Sequence, residues 1–201
     1  MTDLNVDTER PDSLLKTRGT DHITIWGSNA EETIEFYQDI LGMPLVLKQP
    51  NLDDPNQTHL FFDTGDGRIL TFFVNDDRPS VPLQRGQTGS VHHISYKIDP
   101  AEFEQITDAL DGEGYGYNVF NRGIFHSIYT QDNNGLVVEL SADKYRIPDE
   151  KRAKVLARAH KLRVEDGSEY AKEKHLEQAL DELEIEYEKV DLPEASGGMG
   201  V

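Results

Sequence analysis

Hydrophobic and polar residues alternate along several short stretches of the chain, and turn-forming residues separate these stretches. The first stretch, Thr20–Trp26, has the alternation expected of a half-buried strand. Asn29 can then cap a helix whose apolar face carries Ile34, Tyr37 and Leu41. Three more strands are predicted at 44–48, 58–63 and 69–74. The pattern therefore predicts a β-α-β-β-β unit.

The same order of elements begins again 71 residues later, as His93 follows His22. A strand is predicted at 90–98, a helix from Asp99 to Leu110, and strands at 117–121, 124–130 and 136–140. His22-Ile23-Thr24 aligns with His93-Ile94-Ser95, and Gly67 aligns with Gly135. Two similar units predict paired modules that share a pseudo-symmetric cleft.

This organisation predicts an α+β fold with two tandem βαβββ modules, a cupped mixed-sheet site and a C-terminal helical extension. We expect a flexible arm at 1–17, module 1 at 18–78, module 2 at 88–143 and the extension at 144–201. Within the extension, helices are predicted at 148–163 and 169–186, followed by a disordered tail. The extension carries no plausible site, so we expect it to serve packing or oligomer formation.

Composition limits the chemistry that the chain can carry. The formal net charge is −18 and there is no cysteine, so thiolate zinc sites and cysteine nucleophiles are excluded. Any metal must therefore be held by His, Asp or Glu. The acidic surplus argues against nucleic acid or an anionic membrane as a partner. With no long apolar run and no secretory-signal pattern at the start, the expectation is a soluble, cytoplasmic protein.

The acidic surplus is typical of halophilic proteins, whose surfaces self-repel in dilute salt and remain hydrated in concentrated salt. We therefore expect the melting temperature to be higher in molar KCl than in dilute buffer. Thermal unfolding followed by circular dichroism in both solutions checks this expectation. Equal melting temperatures would contradict it and favour an acidic docking face instead.

Two histidines and one carboxylate stand at positions that the repeat relates. His22 and His93 lie on the first predicted strands of the two modules, and Glu139 lies on the last strand of module 2 between Val138 and Leu140. A carboxylate in an apolar strand is costly unless it is paired or bound to a metal. Two imidazoles and one carboxylate with open positions suit non-haem Fe(II).

The chain resembles the vicinal-oxygen-chelate superfamily, which includes glyoxalase I, extradiol dioxygenases, fosfomycin-resistance thiol transferases and bleomycin-binding proteins. The resemblance covers about residues 18–143 and rests on the paired modules, on DHITIWG with EFYQDILGM, and on NNGLVVEL. The run from Ile128 to Glu139 is similar to the pattern of the catechol- and hydroquinone-cleaving dioxygenases, except that Asn133 replaces the usual proline.

The resemblance implies a centre ligated by His22, His93 and Glu139, with Fe(II) as the metal and Mn(II) or another divalent ion as alternatives. It implies supporting roles for Thr24, His92, Arg122 and Tyr129, of which we expect His92 to be an acid or base. Thr71 occupies in module 1 the position that Glu139 has in module 2, where glyoxalase I-like lyases carry a second carboxylate. We expect Thr24, His59 and Thr71 to contact substrate, and Tyr129, His92 and Arg122 to be catalytic.

The interpretation is a metal-dependent extradiol-type dioxygenase that cleaves a catechol or hydroquinone ring with O2. The alternatives are another metal-dependent enzyme of the same fold (a lyase, isomerase or thiol transferase) and a non-enzymatic module that binds small aromatics. Ring-cleaving enzymes of this kind usually have four modules and this chain has two. The site therefore closes within one pair of modules or across a dimer, and we expect a homodimer or a higher homo-oligomer.

Overall fold

A computed structural model describes residues 6–15, 17–79 and 88–192. Module 1 begins with β1 (His22–Gly27) and continues with helix α1 (Ala30–Ile34), which widens into a π-helix over Glu35–Ile40. The Asn29 side chain accepts a hydrogen bond from the Glu32 backbone N–H, which caps α1 as expected. The remaining strands of this module are β2 (Leu45–Pro50), β3 (Thr58–Asp63) and β4 (Ile69–Val74).

Module 2 repeats this order. Strand β5 (Ile94–Ile98) is followed by a 3-10 turn over Pro100–Glu102 and by helix α2 (Phe103–Gly112). The Asp99 side chain caps the turn by accepting from the Ala101 N–H. The last three strands are β6 (Tyr117–Asn121), β7 (Phe125–Gln131) and β8 (Val137–Asp143).

The two modules have the same sheet topology. One sheet has the strand order β1-β4-β3-β2 and the other has β5-β8-β7-β6. In both sheets the first strand pairs in parallel with the last, and the other pairings are antiparallel. Gly67 and Gly135, which the repeat aligns, both have positive φ angles (81° and 78°), a conformation that glycine adopts most readily. The predicted α+β fold of two βαβββ modules is confirmed.

Two local features differ from the prediction. Strand β5 begins at Ile94 rather than Ser90, so His92 and His93 lie in the segment that leads into it. The reason is pairing: the register of β5 with β8 starts at Ile94 opposite Val138, and Val91 is exposed. The π-helix was also not predicted, since it arises from wider hydrogen bonding such as Leu41 N–H to Phe36 C=O.

A single hydrophobic core spans both modules, and a polar contact fixes their junction. Phe36, Phe62 and Phe72 of module 1 belong to the same buried cluster as Ile128 and Leu140 of module 2. The buried Tyr37 hydroxyl donates to Asp132 Oδ2 at 3.0 Å. The Ser28 N–H donates to Asn134 Oδ1 at 2.9 Å. Through these contacts the loop before α1 and the π-helical segment after it hold the turn between β7 and β8.

The C-terminal extension forms its own small core against module 2. Strand β9 (Tyr145–Arg146) pairs with β10 (Glu188–Lys189), and helices α3 (Asp149–Glu165) and α4 (Glu173–Glu182) pack together. Its buried residues are Tyr145, Val155, Ala159, Leu162, Leu176, Ala179 and Leu180. The expectations for residues 1–5, 16 and 193–201 lie outside the described residues. Within the described ranges, no helix is long and apolar enough to cross a bilayer.

Acidic pH should destabilise this extension, because it protonates the Asp166 carboxylate. The carboxylate accepts from His175 Nε2 at 2.8 Å, from the Lys174 ammonium and from the Ser168 N–H, and these bonds hold the pKa of Asp166 well below its usual range. A carboxylate with a depressed folded-state pKa adds stability above its unfolded pKa of about 3.9, and this stability is lost as pH falls further.

We therefore expect Asp166→Asn to lower the melting temperature at pH 7, and the difference from the wild type to shrink progressively as pH falls below about 4. Thermal unfolding of both proteins across this range measures the effect, with the exposed Asp181→Asn of α4 as the control. An Asp166→Asn protein as stable as the wild type at pH 7 would contradict the assignment.

Candidate metal centre

The candidate centre lies on one face of the module 2 sheet. Strand register places Glu139 of β8 between Ser95 of β5 and Tyr129 of β7. Because alternate side chains on a strand point to opposite faces, Val138 and Leu140 lie on the other face and join the core. The sheet therefore presents one carboxylate with hydroxyl side chains on both neighbouring strands.

Each oxygen of the Glu139 carboxylate has a different environment. Oε1 accepts from the Ser127 hydroxyl at 2.5 Å and from the Tyr129 hydroxyl at 2.7 Å. Oε2 lies 2.9 Å from Nε2 of His93. Glu139 is only 4% exposed, so the carboxylate is held in an environment where its bonds are strong. Two of the predicted ligands, His93 and Glu139, are thus brought together.

Electrostatics keep this carboxylate ionised. Burial alone raises the pKa of Glu139, but the hydrogen bonds from Ser127 and Tyr129 and the charge of His93 outweigh it, so the pKa is below its ordinary value. The pKa of Tyr129 is raised, first by burial and then by its bond to Glu139. At neutral pH, Glu139 is therefore an anion and Tyr129 is a hydrogen-bond donor.

Both predicted histidine ligands have one ring nitrogen engaged. Nδ1 of His93 lies 2.7 Å from Nδ1 of His92, and Nδ1 of His22 lies 2.6 Å from Oδ1 of Asp21. In metal sites the non-ligating ring nitrogen usually has such a partner, which fixes the ring orientation. The arrangement leaves Nε2 as the ligating atom in both rings, and in His93 this atom already faces Glu139.

The third predicted ligand is not gathered with the other two. Among residues 6–15, 17–79 and 88–192, no three side chains of His, Asp or Glu stand close enough to hold a metal ion. The His22 side chain is 54% exposed on module 1. The donor atoms of His93 and Glu139 suit two ligands of a divalent metal. His22 does not lie close enough to these two residues to supply the third ligand.

Aromatic and cationic side chains border the carboxylate. The Tyr129 ring lies 5.6 Å from the His93 ring and 5.7 Å from the Phe120 ring, both in edge-to-face geometry. The Arg122 guanidinium lies 4.7 Å from the Phe120 centroid and 5.4 Å from that of Tyr129. Phe120 is 43% exposed, so an apolar ring surface with a positive charge above it stands open beside the centre.

The predicted substrate residues of module 1 occupy the equivalent face of the other sheet. Thr24 pairs with Thr71 as Ser95 pairs with Glu139, and the Thr71 hydroxyl donates to the Thr24 hydroxyl at 2.7 Å. The His59 ring lies against Phe61 and Phe73, at 3.9 and 4.5 Å between centroids. Burial, followed by the charge of His22, lowers the pKa of His59, so this ring is neutral at physiological pH.

Sequence reasoning missed several residues of this face. Ser127, Ser95 and Phe120 were not singled out, although Ser127 and Ser95 bond to Glu139. Strand alternation could have identified these residues, because each shares a sheet face with Glu139 or Tyr129. His126, which alternates with Ser127 on β7, lies on the other face, where its ring is 6.4 Å from the ring of Phe103 of α2.

A cavity of about 800 Å³ lies between the turn joining β3 to β4 and the strand β5. Ile23, Leu70 and Ile98 contribute apolar lining, and Arg68 and Lys97 contribute charges. Ser95 borders it, but His93 and Glu139 do not. The cavity and the candidate centre are therefore different features.

Known proteins include relatives described as ring-cleaving enzymes. The chain is 41% identical over 128 residues to "Putative ring-cleaving dioxygenase MhqO" of Bacillus subtilis, covering 62% of this chain and 40% of that protein. It is 27% identical over 128 residues to "Putative ring-cleaving dioxygenase MhqA" of the same organism, covering 63% and 40%. The chain spans about two-fifths of the length of these curated relatives.

Solved structures show the same fold. A crystal structure described as a putative dioxygenase from Bacillus subtilis superposes with a TM-score of 0.57 at 28% identity, covering 63% of this chain and 41% of that one. The fosfomycin resistance protein FosX of Listeria monocytogenes, solved with Mn(II), superposes with a TM-score of 0.53 at 21% identity, covering 68% and 98%. This second likeness shows the fold alone.

A family model matches most of the two modules. The model is described as the Glyoxalase/Bleomycin resistance protein/Dioxygenase superfamily, and the match covers residues 19–140. This range includes all of the first sheet, the second sheet up to Leu140 of β8, and the predicted ligands His22, His93 and Glu139. With the repeated strand order and the shared fold, the match establishes that the chain belongs to the Glyoxalase/Bleomycin resistance protein/Dioxygenase superfamily.

Proposed function

We propose that this protein is a metal-dependent extradiol-type dioxygenase that cleaves a dihydroxylated aromatic ring, a catechol or hydroquinone, with O2. The observation that carries the proposal is the pair of ligand atoms, His93 Nε2 and Glu139 Oε2, at 2.9 Å beside the Tyr129 hydroxyl. Relatives named as ring-cleaving dioxygenases, at 27% and 41% identity, support the same reaction class.

The proposed metal is Fe(II), with Mn(II) or another divalent ion as the alternative. His93 and Glu139 would hold it, and His22 is the proposed third ligand. A metal held by these residues would supply Lewis-acid and redox chemistry for the reaction of the aromatic ring with O2. Thr71 supports an open centre, because module 1 has no carboxylate at the position of Glu139.

The residues around the pair have roles that their positions support. The exposed face of Phe120 and the adjacent Tyr129 ring can stack on a flat aromatic substrate. Tyr129, protonated at neutral pH, can donate a hydrogen bond to a substrate oxygen. The charge of Arg122 can stabilise an anion that develops on the ring. His92, exposed beside His93, is the proposed acid or base.

The roles of Thr24, His59 and Thr71 in substrate binding remain predictions. The Thr24–Thr71 bond and the packing of His59 between two phenylalanines place them on the module 1 face. That face carries His22 as well, so a substrate bridging the modules would meet both faces. A homodimer or higher homo-oligomer is proposed as the assembly, because His22 is not gathered with His93 and Glu139 among the residues that the structure describes.

Metal analysis combined with an oxygen-electrode screen tests the proposed function. We expect purified protein to contain stoichiometric iron or manganese and, after loading with Fe(II) under anaerobic conditions, to consume O2 with at least one catechol or hydroquinone. Metal binding without O2 uptake would overturn the dioxygenase and favour another metal-dependent activity of this superfamily. Protein that neither binds metal nor consumes O2 would leave only a binding role for small aromatics.

A further inference from the structure

One oxygen of the Glu139 carboxylate is fully occupied by side chains of the adjacent strand. Ser127 and Tyr129 lie two residues apart on β7, so they point to the same face of the sheet. Both hydroxyls donate to Oε1, at 2.5 and 2.7 Å, while Oε2 faces His93. The carboxylate is therefore divided into an oxygen that the strand holds and an oxygen that faces the centre.

The two donors differ in their access to solvent. Ser127 is fully buried, with 0% of its surface exposed, and its hydroxyl is committed to Glu139. Tyr129 is only half-buried, and it borders the open ring surface formed with Phe120 and Arg122. The Tyr129 hydroxyl can therefore leave Glu139 and donate its hydrogen bond to a substrate oxygen instead. The buried Ser127 hydroxyl cannot reach a substrate in this way.

We propose that Ser127 is a positioning residue that holds Oε1 of Glu139, so that the carboxylate presents a single oxygen to the metal while Tyr129 turns to substrate. This role rests on the proposed metal centre and extends it to a residue that touches neither metal nor substrate. Outer partners of this kind fix the orientation of a ligand, and their removal commonly weakens metal affinity by about 10- to 100-fold.

The chain provides a matched control. Ser141 of β8 lies opposite Ser127 in the strand register, on the same face and also buried. Among the described side-chain hydrogen bonds, Ser141 makes none with Glu139. Removal of either hydroxyl changes one buried atom in the same region. The comparison therefore separates the bond to Glu139 from a general effect on packing.

The test measures Mn(II) affinity and the visible absorption spectrum of the Co(II)-substituted protein. For Ser127→Ala we expect about 10-fold weaker Mn(II) binding and an altered Co(II) spectrum, because Oε1 is released to approach the metal. Ser127→Thr, which keeps the hydroxyl, should restore both properties, and Ser141→Ala should match the wild type. Circular dichroism melts establish that each variant is folded.

The outcomes separate this role from the metal centre itself. If His93→Ala loses Mn(II) while Ser127→Ala keeps wild-type affinity and spectrum, the positioning role is wrong and the centre stands. If Ser141→Ala weakens binding as much as Ser127→Ala, the effect is packing and the role is also wrong. A wild-type protein that binds neither Mn(II) nor Co(II) would overturn the proposed function together with this inference.

Discussion

Glu139→Gln should remove stoichiometric metal from the protein and abolish O2 consumption with every aromatic that the wild type oxidises. The amide keeps an oxygen that can accept from Ser127 and Tyr129 but loses the negative charge at the position facing His93. Removal of a residue that only hydrogen-bonds to a metal ligand commonly weakens metal affinity by about 10- to 100-fold. Removal of the charge of the ligand itself should weaken metal affinity by at least that much.

Equilibrium dialysis with Mn(II) and metal analysis measure this effect, and the oxygen electrode measures activity. Glu102→Gln is the control, since Glu102 is an exposed glutamate at the start of the helical segment of module 2. A Glu139→Gln protein with wild-type metal content would show that the buried carboxylate serves the fold and not a metal.

The second large effect is expected at the junction of the modules. The Asp132 carboxylate accepts from the backbone N–H groups of Asn134 and Leu136 at 2.9 and 2.8 Å, and from the buried Tyr37 hydroxyl. Asp132→Ala leaves all three donors without this acceptor. Each buried unsatisfied donor costs about 1–3 kcal/mol, so we expect the free energy of unfolding to fall by about 3–5 kcal/mol.

Urea unfolding followed by circular dichroism measures this loss. Asp132→Asn is the matched variant, because its carbonyl oxygen can still accept from the two backbone N–H groups. Burial raises the pKa of Asp132, its hydrogen bonds offset part of this, and the amide also avoids burying a charge. We expect about 1 kcal/mol or less for Asp132→Asn. An Asp132→Ala protein that loses no more than Asp132→Asn would contradict the assignment.

The strand pattern of the sequence was sufficient to predict the fold. Strands β3, β4 and β6 begin and end at the predicted residues, because their apolar positions are bounded by turn residues on both sides. The predicted start of β5 was wrong. The residues from Val91 to His93 have the alternation of a strand, but they have no pairing partner on β8. Alternation reports which side chains share a face, and pairing decides where a strand starts.

The candidate centre could be predicted only in part. The repeat placed His93 near Glu139, since the first and last strands of one module pair directly. Ser127 gave no signal, because a serine on a strand is common and its bond to Glu139 depends on the offset between β7 and β8. His22 belongs to the other sheet, and the relative placement of two sheets is not encoded in the periodicity of either.

The incorporation of labelled oxygen tests the central claim most directly. The Fe(II)-loaded protein is given the aromatic that it consumes under ¹⁸O2, and the product is analysed by mass spectrometry, with Glu139→Gln as the inactive control. A ring-cleaving dioxygenase centred on His93 and Glu139 predicts an acyclic product that contains both atoms of ¹⁸O2. An intact ring, or a product whose new oxygen comes from water, would contradict it.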